Sequence, residues 1–117
     1  MSSFRNLVVY VKSRELVRQI YILAKSFPDD EKYILGSQIR RACISVTSNI
    51  AEGMGRMTSK DQVHFLHIAY GSLMEVMAQL DLALDLEYIS KENYSNINLL
   101  VDEIARMLSA MCNIRNK

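Results

Sequence analysis

The chain has 117 residues, half of them hydrophobic and 23% charged, with a net charge of +1, a composition that supports one soluble domain with one core. One proline and four glycines leave too little turn punctuation for an all-β fold and permit long helices. The longest apolar runs, such as Leu7 to Val11, fall far short of the roughly 18 residues of a membrane span, and no charged start leads into a signal-peptide-like apolar stretch.

The first helix is predicted from about Leu7 to Ser26. Leu16, Ile20, Leu23 and Phe27 form one stripe, with Val17, Tyr21 and Ala24 beside it, the 3.6-residue repeat of a core-facing helix. Phe27-Pro28 ends it, because the residue before proline is pushed out of the α region. Asp29, Asp30 and Glu31 would then meet the partially positive start of the next helix.

A second helix is predicted from Glu31 to Met54 on Leu35, Ile39, Ala42, Val46, Ile50 and Met54. Three β-branched residues between Ile44 and Thr47 lower helix propensity, but helical phase persists on both sides and outweighs it. Small residues from Gly36 to Ala51 would let another helix approach closely, within the bundle or from another subunit. Gly53 and Gly55 supply the stop.

The third helix is expected to open on a capping box, Ser59-Lys60-Asp61-Gln62, in which Ser and Gln side chains satisfy orphan amides. Val63, Leu66, Tyr70, Leu73, Met77, Leu80 and Leu84 follow in a near-heptad seam reaching about Glu87. The fourth helix starts after Ser90, with Ile97, Val101, Ile104, Leu108 and Met111 on its stripe and Leu100, Met107 and Ile114 alongside. Short connections between helices of similar length make neighbours antiparallel. The fold class is therefore all-α, an up-and-down antiparallel four-helix bundle spanning residues 1–117 as one domain.

Charge divides the chain at Lys60. Residues 1–60 carry ten Lys or Arg against five acids, a balance of +5, and residues 61–117 carry four against eight, a balance of −4. A basic half can bind nucleic acid, and opposite halves can equally match across helices or subunits.

No catalytic residue, metal or cofactor is expected. His64 and His67 sit three apart on the third helix, and Asp61-x-x-His64 has carboxylate–imidazole ligand spacing. A dimetal bundle needs two such His motifs and two further Glu-bearing helices, which fail here. Cys43 lies among apolar neighbours, where a thiol is a poor nucleophile, and Cys112 has no partner at a redox or metal spacing. Two unpaired thiols point to a reducing, cytoplasmic setting. Gly53-Met54-Gly55-Arg56 lacks the preceding strand and full fingerprint of a phosphate loop. The six tyrosines and seven methionines read as core edges and gap-filling.

The segment Ser37-Gln38-Ile39-Arg40-Arg41-Ala42, with Ser48-Asn49-Ile50-Ala51-Glu52-Gly53 and Arg56, resembles the four-helix bundle family encoded by intervening sequences of bacterial 23S ribosomal RNA genes. Phe4-Arg5-Asn6-Leu7-Val8-Val9 is similar to that family's opening, and Phe65 to Glu75 resembles its third helix. Thr47 departs from a position where the family often has Pro, so the kink a proline would impose is not expected. The resemblance implies a bundle that assembles as a homo-oligomer, a pentameric ring. It also implies kinship with a bundle that serves as accessory protein of diversity-generating retroelements, where a basic surface engages nucleic acid and a reverse transcriptase.

From the residues and the resemblance together, a non-enzymatic oligomer is expected to bind RNA or DNA through Lys12, Arg18, Arg40, Arg41, Arg56 and Lys60. Ser48, Asn49, Glu52, Gly53 and Arg56 are expected to act structurally, with Asn49, Glu52 and Arg56 in one network. The alternative is an adaptor that binds another protein.

Overall fold

A computed structural model describes residues 3–117. A short 3-10 turn, Phe4–Asn6, leads into four helices: α1 Val8–Ala24, α2 Leu35–Met54, α3 Ser59–Asp85 and α4 Lys91–Arg115. All sequential neighbours are antiparallel. Between α1 and α2, Ser13 meets Thr47 and Tyr21 meets Arg40; between α2 and α3, Ser45 meets Ser72 and Gly53 meets Phe65. Between α3 and α4, Gln62 meets Arg115 and Asp81 meets Tyr94, and Lys12 closes the ring of helices by reaching Glu103 on α4. The result is an up-and-down bundle about 44 by 21 by 21 Å.

The buried rows follow the predicted stripes. Leu16 and Ile20 of α1, Ile39, Val46 and Ile50 of α2, Leu66, Leu73 and Leu80 of α3, and Val101, Ile104 and Leu108 of α4 are fully buried. Each such side chain contributes about 1.5–3 kcal/mol relative to exposure. The β-branched stretch Ile44 to Thr47 stays helical, as its flanking phase required. Tyr70, assigned to the α3 seam, is 38% exposed, and Tyr21 and Ile114, placed alongside their stripes, are 42% and 68% exposed. On α3 the fully buried row is Leu66, Ala69, Leu73, Val76, Leu80 and Ala83, so the seam keeps its heptad spacing but uses positions 69, 76 and 83 where Tyr70, Met77 and Leu84 were expected.

The helix ends depart from the sequence reading in three places. First, α2 begins at Leu35 rather than Glu31. The Pro28 carbonyl accepts from both Glu31 and Lys32 amides, and Ile34 (φ −110°, ψ −88°) breaks helical geometry, so the acidic run forms a turn one step before the helix.

Second, the N-cap of α3 is Thr58, whose hydroxyl accepts from the Asp61 amide at 3.1 Å. The Gln62 side chain caps nothing reciprocally and donates instead to the Arg56 carbonyl at 2.9 Å. Third, α3 stops at Asp85. Glu87 takes a left-handed φ of 62°, its amide donates to Leu84 O, and the Tyr88 amide donates to Ala83 O. This is the Schellman pattern that normally uses glycine. Ser90 caps α4, as its hydroxyl accepts from the Asn93 amide at 3.1 Å.

Candidate nucleic-acid interface

Four of the six proposed basic contacts already have partners within the chain. Lys12 Nζ lies 2.5 Å from Glu103 Oε2, tying α1 to α4, and this contact holds the Glu103 carboxyl below the usual carboxylate range. Arg18 donates from Nε to Glu15 Oε2 at 2.9 Å and from its terminal nitrogen to Oε1. That fork, assisted by Gln19, lowers the Glu15 carboxyl to about 2. Exposed pairs of this kind contribute little, so incoming phosphates can displace them at small cost.

Arg40 is half-buried and turned toward the α1–α2 connection. It donates to the Lys32 carbonyl at 3.1 Å, and its guanidinium carbon lies 5.8 Å from the centre of the Tyr21 ring. Arg56 lies at the opposite end of α2, 3.5 Å from Glu52 and stacked 4.5 Å over Phe65 of α3. Arg41 and Lys60 are exposed and have no carboxylate partner among the described residues. The six residues therefore do not converge. Lys12 and Arg18 border the groove between α1 and α4, Arg40 and Arg41 lie in the first half of α2, and Arg56 and Lys60 flank the α2–α3 connection.

One basic residue outside that set completes the α1 side. Arg14 is exposed, lies 6.0 Å from the Tyr10 ring centre and has no carboxylate partner among the described residues. Val8, Val11, Arg14, Arg18 and Ile22 of α1, with Lys25 at its C-cap, form one exposed row, each three or four residues from the next. The same helical count that located the buried stripe could have found it, applied to the opposite face. Open grooves flank this row: one of about 670 Å³ beside Val11, Lys12, Arg18 and Leu100, and one of about 230 Å³ between α1 and α2, lined by Tyr10, Arg14, Ile44 and Ser48.

The family-motif residues also separate. Asn49 donates to the Ser45 carbonyl at 2.8 Å and to the Ser45 hydroxyl at 3.1 Å, and Ser45 in turn pairs with Ser72 of α3 at 2.8 Å. Asn49 thus joins a chain linking α2 to α3. Glu52 and Arg56 form a separate exposed pair, so the expected three-residue network is two. Asn49 bonds back one turn to Ser45, whereas Arg56 lies beyond the last turn of α2 and reaches back to Glu52.

Gly53 has a packing role, since a Cβ there would lie 3.1 Å from Phe65 Cβ and 3.3 Å from the Gln62 carbonyl. Ser48 is exposed on the rim of the α1–α2 groove.

Cys43 is buried and donates to the Arg40 carbonyl at 3.2 Å; burial pushes its thiol up to about 11. His64 stands exposed, edge-on to Phe65, and His67 borders an open groove with Tyr70, Cys112 and Asn113. Among the described residues no three of His, Cys, Asp and Glu converge as metal ligands, and no helix is long and apolar enough to cross a membrane.

These features define a helical bundle whose polar chemistry lies on its outer faces and in its interhelical ties. The particular bundle can be placed more closely: the 23S rRNA-intervening sequence protein family is matched over residues 5–110, and the chain belongs to that family. It is similar, at 30% identity and a TM-score of 0.84, to a crystal structure of a protein with unknown function from the S23 ribosomal protein family of Bacteroides thetaiotaomicron. That likeness covers 90% of this chain and 98% of the other. No functionally curated protein matches the sequence.

Proposed function

We propose that this protein is a non-enzymatic, cytoplasmic homo-oligomer, a pentamer, that binds RNA or DNA through the exposed basic row of α1. The observation that carries the reading is the placement of Arg14, Arg18 and Lys25 on one exposed row, with Lys12 beside it, on the side of the bundle built from the basic half of the sequence. Long cationic side chains beside open grooves can meet phosphates without reading bases. Repetition around an oligomer multiplies modest contacts into useful affinity. Arg40 supports the row from the α1–α2 connection, and Arg56 and Lys60 offer a second, weaker basic point near the α2–α3 connection.

A gel shift with structured RNA and with duplex DNA, titrated with salt, tests this reading. Binding should weaken with a log–log slope of roughly 0.9 per phosphate neutralised on a duplex. The double substitution Arg14→Glu/Arg18→Glu should abolish it while the helical spectrum is kept. No shift of either nucleic acid at low salt refutes the reading.

The alternative, an adaptor for another protein, is favoured by the internal pairing of Lys12, Arg18, Arg40 and Arg56. It predicts a shift that is absent or insensitive to the α1 substitutions.

A further inference from the structure

Gly71 stands in the middle of α3 for no reason internal to the chain. It is exposed, its φ is not positive, and a Cβ built on it meets nothing within 4 Å. Glycine is the poorest helix former after proline, so its use there fits a close approach from outside the chain.

The surroundings form a second seam on the outer face of α3. Ile68, Gly71, Glu75, Ala78 and Leu82 are spaced alternately three and four, and all are exposed, Ile68 at 39% and Leu82 at 51%. Glu75 accepts from Gln79 Nε2 at 3.3 Å and has no Lys or Arg partner among the described residues.

We propose that this seam docks a second copy of the chain, and that it receives the row Arg41, Ile44 and Ser48 on the outer face of the neighbour's α2. The proposal rests on the oligomeric reading above and names its contact face. Charge complementarity selects the occupant: Glu75 is a seam carboxylate without a cation, and Arg41 is an exposed cation without a carboxylate, each beside exposed aliphatic surface, Ile44 being 42% exposed.

Height supports the same pairing. The Ser45–Ser72 contact sets the register of antiparallel α2 and α3, which brings Arg41 level with position 76, one residue or about 1.5 Å from Glu75. Rotation about an axis parallel to the bundle preserves height, so a closed head-to-tail ring requires its two different patches to lie level, as these do. Docking then occupies Arg41 and the α1–α2 groove beside Arg14, and leaves Arg18 and Lys25 of the α1 row open to phosphate.

Light scattering after size-exclusion chromatography, over a hundredfold range of concentration, tests the contact, with circular dichroism melting as the control for folding. The wild-type chain should elute as a multimer. Gly71→Gln and Glu75→Arg should each weaken association at least tenfold and give single chains that melt as cooperatively as the wild type. Combining Glu75→Arg with Arg41→Glu should restore the multimer. Should Glu75→Arg itself lower the melting temperature, Gly71→Gln, which enters open space, decides the matter. Folded variants that keep the wild-type mass overturn this contact while leaving the oligomer standing. A wild-type chain that is single at every concentration overturns the contact and the oligomeric reading together.

Discussion

Gly53 on α2 and Gly71 on α3 meet opposite surroundings. Gly53 is buried against α3, with Phe65 and Gln62 filling the space a side chain would need. Gly71 faces outward into open space. One glycine is required by the fold of a single chain, and the other weakens that fold slightly without return inside the chain. The contrast separates two kinds of surface on the same pair of helices: an inner one shaped by packing, and an outer one whose composition packing does not explain.

The contrast can be broken most forcefully beside Gly53. Leu66 is fully buried there, with its Cγ 3.8 Å from the position of a Gly53 Cβ. Leu66→Ala should cost about 2–5 kcal/mol in chemical denaturation, and a loss under ~1 kcal/mol would show that this contact is not close-packed. Gly53→Ala should cost about 1–3 kcal/mol by overpacking, since the nearest obstacles include a backbone carbonyl that cannot swing aside.

Gly71→Ala should have the opposite sign. Measured in the Glu75→Arg background, where the chain is expected to be single, it should gain roughly 0.5–1 kcal/mol; a loss of that size would mean the chain itself needs this glycine.

The smallest effect is expected from acid at Glu15. Its carboxyl is lowered to about 2 chiefly by the bond from Arg18. A depressed carboxyl contributes stability that is present above its unfolded value, near 4.5, and is lost only as pH falls through the folded one. Because the pair is exposed, Glu15→Gln should leave the melting temperature almost unchanged at pH 7 and should flatten only the last part of the acid limb near pH 2–4.

The four helices and most of their buried rows were legible because periodicity records which face meets the core. Val46 illustrates this: its β-branched neighbourhood lowers helix propensity, yet the helical phase of the flanking residues prevails. The α2 start was not legible, because the Pro28 carbonyl takes two amides that a helix from Glu31 would have used otherwise. The cap of α3 was misplaced by one residue, since Thr58 and Ser59 are both good caps and only backbone geometry separates them.

For the candidate interface, the basic half was visible as a count of charges, but the partners of Lys12 and Arg40 lie on another helix or in a connection and follow from tertiary packing. Arg14 was legible in principle, through the outward row it shares with Arg18 and Lys25.

The central claim is that the outer faces are built for assembly and the inner ones for the fold. The molar mass of the wild-type protein by light scattering, measured from low to high concentration, tests it most directly. The expected result is a defined multiple of the single-chain mass, five chains, sustained on dilution over the working range. A single-chain mass at every concentration would contradict it.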